Sequence, residues 1–269
     1  MGLTSAGLSL LTEDFMRQAF AAVAIVGLMA GLVGYVLVLR GEAFAGHALS
    51  HIGFSGAAGA VLAGVSPLAG LVGATVLGGV GMGLLGPRAG ERDVAIGVVL
   101  TASLGLGLLF LSFFTGSSTQ ATSLLFGNVL SVAPETVWAL AGLAAVTLLG
   151  LAAITRRLLF ASLQPEVAAA RGLNPRLLGV VFLALVGLAT AGTAEVVGVL
   201  LTFALLIGPG ATALRLTPRV RWGFVLSAAL AVGEGVLGVA LSGLTDWPAS
   251  FWISALSAGA YLIAALITR

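Results

Sequence analysis

Apolar residues run through the chain in long blocks, each closed by a short cluster of polar or turn-forming residues. A helix needs about 20 mostly apolar residues to cross the hydrocarbon of a bilayer. Blocks of that kind near residues 15–38, 43–64, 66–86, 94–114, 138–156, 177–191, 195–214, 222–242 and 250–267 predict about nine membrane spans. The sixth and seventh are separated only by Gly192, Thr193 and Glu195, so one of them is expected to be short, tilted or broken. If the two merge, eight spans remain. The expected fold is all-α: a polytopic transmembrane helical bundle forming a single domain over residues 1–269. The first block is too long for a signal-peptide core and follows Glu13 and Asp14 rather than a basic cluster, so it reads as a retained helix.

Arginine placement orders this bundle. With alternating crossings, Arg40, Arg88, Arg92, Arg156, Arg157, Arg171, Arg176, Arg215, Arg219, Arg221 and Arg269 fall on one side, and Arg17 alone on the other. The Arg-rich side is expected to be cytoplasmic, which puts the N-terminus outside and the C-terminus inside. Merging the sixth and seventh spans would move Arg215, Arg219 and Arg221 to the wrong side. Two connections are long. Residues 115–137 fall outside, and Leu124, Leu125 and Phe126 before Gly127 predict a short helix on the membrane surface. Residues 156–176 fall inside and contain a short capped helix: Pro165 suits its first turn, Glu166 complements its dipole, and Gly172 suits its end. It is either a solvated connector or a docking helix for a cytoplasmic partner.

Composition strengthens this picture. Only 8% of residues are charged and 59% are hydrophobic, with mean hydropathy +1.16. Soluble domains carry about 25% charged residues, so lipid must cover most of this surface. The 39 glycines suit close helix packing in a membrane. There is no cysteine, which excludes disulfides and thiolate chemistry. There is also no lysine, so the chain cannot form a phosphate-binding P-loop, and any ATP hydrolysis must come from a partner. The basic pI of 9.9 reflects topology and does not call for a nucleic-acid partner.

The polar residues within the spans carry the candidate chemistry. The two histidines, His47 and His51, both fall in the second span at i, i+4 spacing, which places them on one helix face. Two neutral imidazoles so placed can share one Zn²⁺. Otherwise they are packing residues bonded to neighbouring carbonyls. Two ligands are too few for a closed structural site, which suits an ion that must leave again. Ser50 can hydrogen-bond nearby. The residue after His47 is Ala48, not the glutamate that a zinc protease uses as its base, so hydrolysis is not expected. Glu234 lies mid-span and is an ion ligand, a proton site or a structural hydrogen-bonding group. Glu195, read near the outer end of the seventh span, and Asp246 in the last outer loop can attract cations.

The run Gly46, Ala48, Leu49, Ser50, His51 and Gly56, preceded by Arg40-Gly41, resembles the second-helix motif of permease subunits of bacterial ATP-binding-cassette zinc and manganese importers. Further matches follow in order over nearly the whole chain. They are Leu125-Phe126-Gly127-Asn128; Pro165-Glu166 with Ala168 and Gly172; Val197-Gly198 with Leu200-Leu201, running on to Pro209-Gly210-Ala211-Thr212-Ala213; and Asp246-Trp247-Pro248. The resemblance implies a homodimeric or paired permease of the bacterial plasma membrane. It implies two cytoplasmic ATPase subunits as partners, and an extracellular or periplasmic protein that delivers the metal. It makes Pro165, Glu166, Ala168 and Gly172 a coupling helix within the segment 156–176, and places the second-helix motif on the ion path. No permanently bound cofactor is implied; Zn²⁺ or Mn²⁺ is cargo. Many members carry aspartate where this chain has His47. Carboxylate suits Mn²⁺ and imidazole suits later first-row ions, so the pair favours zinc, with manganese or iron as alternatives. Gln164 departs from the acid common before the Pro-Glu step. A proton- or ion-coupled carrier in which Glu234 titrates is the reading from another class; a carrier needs no docking helix.

Overall fold

A computed structural model of the protein describes residues 14–85, 89–113, 125–127 and 129–268. Among them are ten α-helices and no strand. They are α1 (Asp14–Leu39), α2 (Ala43–Leu62), α3 (Pro67–Leu84), α4 (Ala89–Ser112), α5 (Pro134–Leu163), α6 (Pro165–Ala170), α7 (Pro175–Val197), α8 (Thr202–Leu216), α9 (Val220–Thr245) and α10 (Ala249–Ile267), with a short 3₁₀ turn at Val129–Ser131. Residues 115–124 and Asn128, within the segment expected to form an outer loop, lie outside the described residues, as do Glu13, Arg88 and Arg269.

Among the described residues, seven helices are both long and apolar enough to cross a membrane: α1, α3, α4 from Asp93, α5, α7, α9 and α10. Two more fall short for different reasons. The 20 residues of α2 suffice in length, but its histidines, serines and glycines dilute its apolarity. At 15 residues, α8 rises only about 22 Å. Proline marks the start of four helices, where a missing N–H costs nothing. Two of these starts are also capped: Ser66 Oγ accepts from Ala69 N at 3.4 Å before Pro67, and Asn174 Oδ1 accepts from Leu177 N at 3.1 Å before Pro175.

The centre of the bundle is α1, flanked by α9 and α8 on one side and by α7 and α5 on the other. Its buried stripe (Ala19, Ala22, Val23, Val26, Met29, Ala30, Val33) is small and branched, which lets α9 come close. Ser227 Oγ on α9 donates to the Gly31 carbonyl of α1 at 2.6 Å. A second layer forms where α3 packs between α2 and α7, while α4 lies against α2 and leaves most of its surface for lipid or a partner.

The bundle has two distinct ends. One gathers the α1–α2 turn, the end of α3, and the facing ends of α5, α7 and α9 around a cavity of about 780 Å³. Arg40, Glu42, Asp93, Ser162 and Arg176 line it. The other gathers Phe15, Phe126, Asp246, Trp247 and Ser250 around a cavity of about 470 Å³. Both arginines that line the first cavity, Arg40 and Arg176, belong to the group the sequence places on one side.

Several element boundaries differ from the sequence reading, among them the start of α4, at Ala89 and not at 94. The break between the sixth and seventh spans is not at Gly192–Glu195. There α7 runs on to Val197, and the chain turns at Gly198–Leu201. Glu195 therefore belongs to the last turn of α7, not to the seventh span. Gly198 has φ +91°, and a Cβ there would run into the backbone of Phe126 and Gly127, so only glycine fits. At the other end α5 continues to Leu163, so Arg156 and Arg157 stand on a helix and the connection shortens to α6 with its flanks. Finally, α5 starts at Pro134, four residues before the expected 138.

Candidate functional site

His47 and His51 sit one turn apart on α2, both half-buried. Their ring centres are 4.8 Å apart with planes at 86°. An ion about 2.1 Å from one nitrogen of each ring would lie about 3.2 Å from each ring centre, which puts the centres about 5.2 Å apart at a tetrahedral angle. The observed spacing is within a few tenths of an ångström of that. The helix dictates it: i and i+4 side chains stack on one face. Phe203, in the first turn of α8, presents its ring to His47 at 5.1 Å and 79°. That contact was not legible in the sequence, because it depends on where the Gly198 turn sets down α8.

Ser50 is buried beside the pair, and its hydroxyl donates to Gly46 O at 3.3 Å, leaving lone pairs free. Among the described residues no group of three or more histidine, aspartate or glutamate side chains is placed to hold a metal ion. Glu195 and Glu234 thus do not join the histidines in one cluster.

Glu234 lies on α9 at 5% exposure, with neither carboxyl oxygen hydrogen-bonded among the described residues. Its polar neighbour is Ser257 on α10, whose hydroxyl already donates to Ala204 O of α8 at 3.0 Å. The Thr190 hydroxyl on α7 is likewise buried without a partner. Buried polar groups are normally paired, so these two stand out.

Helix α6 stands at the Arg-rich end. Ala168 is fully buried at its base, while Glu166 and Val167 point outward. Gly172, at φ +77°, ends it as the sequence predicts, and Leu173 N closes the turn on Ala168 O at 3.0 Å. Beside it lies a network that sequence reading missed. Arg40 holds Glu42 through Nη2–Oε1 at 2.9 Å and Nε–Oε2 at 3.2 Å, and its Nη1 donates to Ser162 Oγ. The Arg-Gly step was legible; its partner on α5 was not. At the opposite end, Trp247 stacks on Trp252 and meets Phe251, and Trp252 Nε1 donates to Thr245 Oγ1 at 2.9 Å.

A charge-poor bundle of long apolar helices, with a histidine pair inside it and an exposed short helix at its arginine-rich end, defines a multi-pass membrane permease. The chain belongs to the ABC 3 transport family, whose profile matches residues 12–268. It is similar to the manganese transport system membrane protein MntC of Halalkalibacterium halodurans, 32% identical over 238 residues, covering 88% of this chain and 82% of that one. The chelated iron transport system membrane protein YfeC of Yersinia pestis is 32% identical over 221 residues, covering 82% and 74%. Among solved structures, PsaBC from Streptococcus pneumoniae in complex with Fab superposes with TM-score 0.85 at 27% identity, covering 97% of this chain and 94% of that one. The protein is thus a multi-pass permease of the bacterial plasma membrane.

Proposed function

We propose that this chain is the permease subunit of an ATP-driven importer of a divalent first-row metal, most specifically zinc, which passes His47 and His51 on its way through the bundle. The observation that carries this is the 4.8 Å, near-perpendicular histidine pair on α2, half-buried within the bundle. Neutral imidazoles favour zinc and the ions near it. Similarity to permeases named for manganese and iron supports a second reading, in which the same path carries one of those ions.

In this mechanism a metal-binding protein docks at the end marked by Asp246 and Trp247 and releases its ion between the helices. The two histidines hold the ion briefly, with Ser50, water or a partner group completing its shell; Phe203 covers His47 from α8. Glu195 is a further candidate along the path, and Glu234 is read as a buried structural group. A separate pair of ATPase subunits engages α6 through Pro165, Glu166, Ala168 and Gly172, and nucleotide-driven movement of that segment switches which end is open. The permease works with a second copy or a paired permease. Its side chains make no covalent intermediate.

The test is metal uptake in cells lacking their own importer, supplied with the permease, its ATPase and its binding protein. Trace zinc is offered with manganese as competitor. Wild type is expected to accumulate zinc, and His47→Ala and His51→Ala to lose uptake while still assembling with the ATPase. Normal uptake by both variants would make the pair a packing feature and remove this assignment.

A further inference from the structure

We propose that Arg40 is a positioning residue that links the coupling segment to the helix carrying the histidine pair. The inference rests on the proposed function above and goes beyond it by naming how motion at one place reaches the other.

The geometry is specific. Arg40 lies in the turn between α1 and α2, and its guanidinium uses three nitrogens on two elements. Nε and Nη2 form a fork on Glu42 at 3.2 and 2.9 Å. Glu42 immediately precedes α2, five residues before His47. Nη1 donates to Ser162 Oγ, near the end of α5 and three residues before Pro165. The polarity closes: the Ser162 hydroxyl spends its proton on Leu158 O at 2.7 Å, so a lone pair remains for Arg40. The guanidinium also lies over the Phe182 ring of α7, 5.4 Å from its centre. The ion pair is sheltered, with Arg40 and Glu42 side chains 15% and 7% exposed, so solvent screens it weakly.

This link matters because α2 and α5 share no extensive packed face. A displacement of α6 must pull on the last turn of α5 that carries Ser162. Ser162 then shifts Arg40, and the rigid two-point fork carries Glu42 and the first turn of α2 with it. A helix transmits that shift to His47 and His51 as a unit, because they are only one and two turns further on. A lysine could not serve, because it offers a point charge and not a fork.

The experiment uses the complete importer in proteoliposomes: permease, ATPase subunits and metal-binding protein loaded with zinc. Metal ions imported and ATP hydrolysed are counted in the same sample. Ser162→Ala removes one acceptor at an exposed position and leaves the Arg40–Glu42 fork intact. It is expected to lower zinc imported per ATP roughly tenfold while hydrolysis continues, and Ser162→Thr, which keeps the hydroxyl, is expected to restore the ratio. Arg40→Gln should uncouple at least as strongly. A merely structural role would lower uptake and hydrolysis together. Wild-type stoichiometry in Ser162→Ala, or a proportional fall in both rates, overturns the linkage. If uptake in the same vesicles still requires His47, the permease assignment survives that result. If His47→Ala imports zinc like wild type, the assignment falls and the linkage with it.

Discussion

His47 bears on cargo through the chemistry of its ligand atom. Carboxylate oxygen is a hard ligand suited to manganese, whereas imidazole suits zinc and its neighbours. Placing an acid at the same helix position, with His51 kept, changes ligand type while leaving spacing alone. His47→Asp is therefore expected to move preference toward manganese by roughly tenfold, read as the ratio of the two metals taken up from an equimolar mixture. An unchanged ratio would mean that selection happens elsewhere, for example at the delivering protein. Glu234 presents the opposite case. Its carboxyl is buried with only the Ser257 hydroxyl, already donated to Ala204 O, as a polar neighbour, so the site fits the shape of the side chain and offers little to a negative charge. Glu234→Gln keeps that shape. It is expected to hold the melting temperature within about 3 °C of wild type and to leave uptake intact. Lost uptake at unchanged stability would instead place Glu234 on the ion path.

Helix positions follow from apolar length, and the sequence reading locates most of them. It errs where backbone conformation and not hydropathy decides. Gly192, Thr193 and Glu195 look like a polar interruption, yet all three fit inside α7, where the Thr193 hydroxyl donates to Ala189 O at 2.8 Å. The real break is Gly198, hidden within an apolar run because its signal is a positive φ and a close approach to Phe126–Gly127. Leu200 N donates to Leu125 O at 3.2 Å, and Ser250 Oγ donates to Phe126 O at 2.8 Å, so this turn is stitched to the segment 125–127 and through it to α10. It also sets Phe203 against His47. Gly198→Ala would add strain and a steric clash together. A loss of about 2 kcal/mol in stability is expected, seen as a melting temperature roughly 5 °C lower in detergent, along with weakened uptake. An unchanged melting temperature would show that the turn relaxes freely and does not fix α8. The α5 overrun has a similar origin: Arg156 and Arg157 look like the end of a span, but long charged side chains snorkel at a membrane surface and need not end a helix.

For the molecule as a whole, the two ends are chemically unlike. The arginine asymmetry read from the sequence and the geometry agree on which residues share an end: Arg40 reaches Ser162, and Arg176 donates to the carbonyl of Leu84. Phe15, Asp246 and Trp247 share the other. Which end faces the cytoplasm decides where an ATPase can dock, so the orientation carries the functional argument. The absence of cysteine makes a direct test available, since any introduced thiol is the only one. Val167 on α6 is 44% exposed, and Asp246 caps α9 in an exposed left-handed turn at φ 58°. Both accept substitution without disturbing a buried contact. In intact cells, a membrane-impermeant maleimide is expected to label Asp246→Cys and to leave Val167→Cys untouched. Permeabilised cells should label both. Co-expressed ATPase should then protect Val167→Cys and leave Asp246→Cys as reactive as before, because only Val167 lies on the helix proposed to dock it. Labelling of Val167→Cys in intact cells would invert the protein in the membrane. It would put α6 beyond reach of any cytoplasmic ATPase, and the coupling role of Pro165 through Gly172 would fail with it.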